Sequence, residues 1–296
     1  MKAILFVGHG SKDPNGNEEI RQFVDQIKPR FSEPIIETCY LEFAAPDISQ
    51  GIDRCIERGA TSVSLIPMMF LAAGHSKLHI PAAIDEAKVK YPAVTFTYGR
   101  PVGIHNRIID MLENSLREQG LTNEVEDAII LLIGRGSSDS DANSDLYKIG
   151  RLLSERFEHL PVESAFIGVT KPTVEEGVAR SIALGAKQVF LVPYLFFTGV
   201  LMNRMHDKFA ALKEHYPSHQ LHMTDYFGFR DEVKDVFQDR AEEALLGAAK
   251  LNCDVCEFRL HALEHMDVHH HHHHDHDHDH GHGHHHHHHV HEEVTP

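Results

Sequence analysis

Two short loops, GHGSKD at 8–13 and GRGSSD at 134–139, each follow an apolar run, AILFV in the first case and AIILLI in the second. The first loop carries His9 where the second carries Arg135. Imidazole binds borderline divalent metals and accepts a proton near neutral pH. Guanidinium is a permanent cation whose fork matches carboxylates. Two more polar residues of the first half stand in comparable places, Glu42 in CYLEFAAPD and His75 in PMMFLAAGHSKLH. Their counterparts in the second half are Gly168 and, across a one-residue slip, Val200. Taken singly, a loop histidine often does no more than satisfy a turn. Here all three groups are replaced together while the neighbouring glycines and prolines stay, which assigns the chemistry to residues 1–120. Two imidazoles and a carboxylate on one cleft suit Co, Ni, Fe or Zn, with an imidazole also able to act as a base.

The elements that must position these groups follow from an internal repeat. APDISQGIDRCIERGATSVSLIP (45–67) matches TKPTVEEGVARSIALGAKQVFLVP (170–193), with Pro46, Gly51, Gly59, Ala60 and Pro67 in register with Pro172, Gly177, Gly185, Ala186 and Pro193. Short runs rich in Val, Ile, Leu and Phe predict strands near 3–7, 35–41, 62–69 and 94–98, and again near 128–133, 162–168, 188–194 and 220–224. Helical patterns lie between them, at about 17–31, 46–58, 80–90 and 104–118 in the first half. The expected fold is α/β, two tandem similar lobes, each a four-stranded parallel sheet flanked by helices. The polar stretch REQGLTNEVED marks the boundary, giving a lobe over 1–120 that carries the site and a duplicated lobe over 127–250 without those residues. In open parallel sheets ligands bind beyond the carboxyl ends of the strands, where His9, Glu42 and His75 fall.

Composition narrows the partners. A formal charge of −16 argues against nucleic acid, which needs clustered Lys and Arg. No apolar stretch reaches the roughly 20 residues that span a bilayer, and AILFV is too short for an export signal, so a cytoplasmic protein is expected. GHGS lacks the spacing of a dinucleotide loop and any Walker lysine, so no nucleotide cofactor is expected. Arg135 and Lys12, with Lys77, Arg100 and Arg204, are candidates for holding an anionic substrate across the cleft between lobes. HSKLH, read as helix, would set His79 on the face of His75.

The composition changes at 251–296, a segment expected to be disordered. Its histidines, including His269, His270, His271, His272, His273, His274, His276, His278, His280 and His282, alternate in part with aspartates and suit Ni, Cu, Zn or Co. Cys253 and Cys256 form a CxxC pair that supplies two of the four ligands a zinc or iron–sulfur site needs.

The duplicated α/β scheme, with VGHGS after the first strand, AAGHS after the third and a histidine-rich tail, resembles the class II chelatases. These are the sirohydrochlorin chelatases of cobalamin and siroheme synthesis, and the likeness is to the long-form CbiX type. It covers essentially the whole chain. The resemblance implies insertion of Co²⁺ into sirohydrochlorin without nucleotide hydrolysis. It implies that His9 and His75 act at the metal and on pyrrole protons and that Glu42 assists. Long members are also associated with a C-terminal MxCxxC motif and an iron–sulfur cluster. The motif here departs, reading LNCDVC with Leu251 at the Met position. Two alternatives stay open: a ferrochelatase of siroheme synthesis using the same residues, and a metal-storage or metallochaperone protein acting through its tail. Because one chain already holds two lobes, a monomer or a homodimer is expected.

Overall fold

The computed structural model describes residues 1–158 and 160–247. The first half runs β1 (Lys2–Gly8), α1 (Pro14–Ile27), β2 (Ile35–Tyr40), α2 (Ile48–Glu57), β3 (Ser62–Pro67), a π-helical turn (His75–His79), α3 (Ile80–Lys90), β4 (Thr95–Tyr98) and α4 (Asn106–Glu118). The second runs β5 (Ala128–Gly134), α5 (Ser140–Arg156), β6 (Val162–Phe166), α6 (Val174–Ala183), β7 (Gln188–Pro193), α7 (Val200–His215), β8 (Gln220–Met223) and α8 (Asp231–Leu245). Each half forms a four-stranded, wholly parallel sheet, ordered β2-β1-β3-β4 and β6-β5-β7-β8. This is the α/β fold of two similar lobes that the repeat predicts. Among the described residues no helix is long and apolar enough to cross a membrane.

Local chemistry explains where elements end. α1 starts earlier than the apolar pattern implies because Pro14, lacking an N–H that the first turn does not need, sits at its start behind the Asp13 cap. Pro29 then closes the helix into a 3₁₀ turn over Lys28–Arg30. β3 stops at Pro67, two residues short of the predicted run, and the freed segment from Met68 to Leu71 lines a cleft. α2 and α6 open on matching capping boxes, Asp47 with Gln50 and Thr173 with Glu176. Ala45–Pro46 and Lys171–Pro172 are cis.

Three apolar clusters hold the molecule together. One lies on the outer face of each sheet, built around Leu5, Ile52 and Ile84 in the first half and Leu131, Val178 and Met205 in the second. The third, with Phe6, Phe23, Leu132, Phe190 and Phe237, is shared by both halves. The last helices are exchanged across it: α8 packs on β3 and β4, while α4 packs on β7. Gly99 makes room for α8, since a Cβ there would lie 2.8 Å from Ile66 and 3.5 Å from Ala244. Arg240 donates to the carbonyls of Pro101 and Val102 at 3.1 and 2.6 Å, Lys2 to that of Leu245 at 3.0 Å, and Arg107 pairs with Asp235. The covalent repeat is therefore not a spatial boundary.

Candidate active site

The loops after β1 and β5 are built alike. Asn17 accepts from the Ser11 N–H at 2.8 Å and donates to the Ser11 carbonyl at 2.8 Å. Asn143 does the same for Ser137, at 3.0 and 2.7 Å. The backbone N–H groups of Asp13 and Asp139 donate to the Ser11 and Ser137 hydroxyls at 3.0 Å, and the two aspartate side chains cap the following helices. Gly10 and Gly136 both sit at positive φ, +86° and +82°. A Cβ at Gly10 would collide with the Glu42 carbonyl, so the loop after β1 presses directly on the loop after β2. The Glu42 N–H donates to the His9 carbonyl at 3.1 Å, which ties the two backbones together.

That frame sets the side chains. His9 Nδ1 lies 3.1 Å from the Gly10 carbonyl and 3.5 Å from Glu42 Oε1. Arg135 approaches from the other half and places Nη1 3.3 Å from His9 Nε2. A guanidinium only donates, so Nε2 accepts and the proton of the neutral ring sits on Nδ1, where it donates to the Gly10 carbonyl. Burial and, second, the Arg135 cation hold His9 below the ordinary histidine value, against the opposing pull of the Gly10 carbonyl and Glu42. His9 therefore stays neutral at a lower pH than a free imidazole.

The cleft beside His9 has a volume of about 510 Å³ and is walled by both halves. Its apolar lining includes Phe43, Met68, Phe70, Phe196, Phe197 and Met202. Phe43 is left-handed at φ 63° and 56% exposed, a large ring held at the rim. Lys12 also lines the cleft, its Nζ 5.2 Å above the Phe43 ring. His75 opens the π-helical turn beyond β3, as Val200 opens α7 beyond β7. Tyr98 fixes that turn by donating to the Ser76 carbonyl at 2.7 Å, and Ala73, just before it, lines the same cleft. His79 is exposed and borders a separate recess with Glu42 and Asp47.

Several sequence candidates fall elsewhere. Lys77 is 5% exposed and locked at 2.7 Å to Asp139, itself 1% exposed, and at 3.1 Å to Asp141. It binds one half to the other rather than a substrate. Arg100 makes a two-pronged bond to Glu243 at 2.8 and 2.7 Å, and Arg204 is exposed on α7 outside the cleft lining. Among the described residues no three His, Cys, Asp or Glu side chains gather into a metal cage. Cys253, Cys256 and the histidines from His269 to His282 lie outside the described residues, as does the expectation of disorder there. Sequence reasoning missed Asn17 and Asn143, although the signal was present: each stands six residues after the loop serine. It also missed the aromatic wall in which Phe70 of the first half meets the stacked Phe196 and Phe197 of the second, its ring 5.0 Å from that of Phe196.

Comparison with known proteins adds four likenesses. The family model described as CbiX matches residues 3–119 and, a second time, 129–244. The chain is 52% identical over 272 residues to the sirohydrochlorin cobaltochelatase of Priestia megaterium, covering 91% of this chain and 88% of that one. It is 34% identical over 242 residues to the sirohydrochlorin ferrochelatase of Bacillus subtilis, covering 82% and 91%. In structure it is similar to the sirohydrochlorin chelatase SirB from Bacillus subtilis subspecies spizizenii in complex with cobalt. That match has a TM-score of 0.71 and 32% identity over 82% of this chain and 94% of that one.

Proposed function

The chain belongs to the CbiX family, and from that premise we propose that it is a sirohydrochlorin cobaltochelatase, inserting Co²⁺ into the tetrapyrrole without nucleotide hydrolysis. The reaction exchanges one divalent cation for two pyrrole protons, so it needs a metal-holding group and a base on one face of the macrocycle. His9 supports both roles. With its Nδ1–H held by the Gly10 carbonyl and Glu42 alongside, its Nε2 is the nitrogen directed at Arg135 across the cleft. Metal binding requires that nitrogen deprotonated, and the lowered His9 pKa favours that state. This is the observation that carries the assignment of the site.

In the mechanism, His9 and His75 present Co²⁺ to the inner nitrogens, and the two imidazoles that the metal vacates take the two pyrrole protons as it enters the ring. Glu42 orients the His9 ring through the Nδ1 side and accepts or relays the proton. Phe43, Phe196 and Phe197 supply flat apolar walls for a planar ring, and Arg135 and Lys12 meet its carboxylates. The first lobe carries the chemistry and the duplicated lobe supplies walls and cations. The histidines and aspartates of 251–296 store or buffer cobalt. Cobalt is preferred to iron because the cobaltochelatase likeness is much the stronger. The test is an anaerobic comparison of initial insertion rates with Co²⁺ and Fe²⁺ at equal free concentration. Faster cobalt insertion is expected; equal or faster iron insertion reassigns the chain to siroheme synthesis.

A further inference from the structure

Arg135 does more than wait for a carboxylate. Its Nη1–H donates to Nε2 of His9 at 3.3 Å. Nδ1 faces the Gly10 carbonyl at 3.1 Å and Glu42 at 3.5 Å, so it is the proton-bearing nitrogen, and Nε2 holds the ring's in-plane lone pair. A metal on His9 must use that same lone pair. Arg135 and a divalent cation therefore compete for one atom, and a cation at Nε2 would also sit beside a fixed positive charge. A carboxylate reverses both effects at once: it draws the guanidinium into a two-pronged bond and neutralises it. Both loops are pinned by the same Ser–Asn bonds, so the contact can break by rotation of the exposed Arg135 side chain while the backbone stays in place.

We infer that Arg135 is a substrate-operated latch on the metal-holding imidazole: it occupies His9 until a carboxylate of the incoming substrate pulls it away, so that substrate binds before metal is held at His9. The inference rests on the proposed roles of His9 and Arg135. It also gives a reason for the asymmetry between the two loops, because the cation stands where the repeat would otherwise place a second imidazole. Metal is held more weakly at the site until there is a macrocycle to receive it.

The test uses the full chain and no tetrapyrrole. Co²⁺ is titrated by equilibrium dialysis into wild type and R135A, each read as a difference against the same protein carrying H9A, so that binding to the histidine-rich segment cancels. Loss of one hydrogen bond and one nearby positive charge should tighten the His9 site about tenfold in R135A. R135Q, which keeps an N–H and drops the charge, should fall between. Identical difference curves for wild type and R135A overturn the latch, and combined with a raised KM for sirohydrochlorin they leave Arg135 as a carboxylate contact only. Because no tetrapyrrole enters the titration, failure of the chelatase assay is a separate result.

Discussion

In the proposed mechanism His9 is the residue on which the chemistry turns, and its surroundings make that role testable by pH. Its pKa is depressed, so the neutral, metal-holding form persists as pH falls below the ordinary value near ~6.5. The acid limb of the kcat/KM profile is expected below that value, with activity lost as pH drops through it. R135A removes one cause of the depression and should move the acid limb upward; an acid limb that stays put or moves down in R135A contradicts the coupling. The same variant should raise KM for sirohydrochlorin more than it lowers kcat. E42Q keeps the shape of Glu42 and removes its charge, and should lower kcat by about 10- to 100-fold in steady-state assays. His9, Glu42 and Arg135 were legible in sequence because the repeat supplies an internal control, the same loop with different chemistry. Lys77 and Arg100 were misplaced because a cation's partner is a matter of three-dimensional neighbours. Nothing in HSKLH shows that Asp139, more than sixty residues on, neutralises Lys77.

At the scale of elements, the turn that carries His75 is held to the second half by that buried pair. Removing one partner strands a charge, which typically costs about 3–5 kcal/mol. K77M should therefore lower the urea midpoint markedly. K77M with D139N should recover much of the loss, because the amide keeps an acceptor for the Asp141 N–H that now caps α5. Equal destabilisation of single and double variants would mean the pair carries no coupled energy. Gly10 belongs to the same frame. G10A forces a Cβ against the Glu42 carbonyl in a backbone region that alanine avoids, and should cost at least about 1–3 kcal/mol together with activity. Strands and helices were readable from apolar runs and helical spacing. The early start of α1 and the early end of β3 were not, since both depend on what a proline does at a terminus rather than on hydrophobic pattern.

For the whole molecule, exchange of α4 and α8 across a shared core is the feature that no repeat alignment discloses. Two similar sequences predict two lobes but not which lobe a helix packs upon. The consequence is cooperativity: full-length protein should unfold in a single urea transition by circular dichroism, and residues 1–120 expressed alone should lack native-like stability for want of α8. Two resolved transitions would show that the lobes are independent. The exchange also gives the cleft its form, with His9 and Phe43 of one half and Arg135, Phe196 and Phe197 of the other fixed around a common core. The most direct test is to mix the purified full-length protein anaerobically with sirohydrochlorin and Co²⁺ and follow the visible spectrum against H9A. Insertion well above the uncatalysed rate is expected for wild type, with a loss of at least about 100-fold in H9A. Insertion by H9A at the wild-type rate, or no acceleration by either protein, would contradict a chelatase centred on His9.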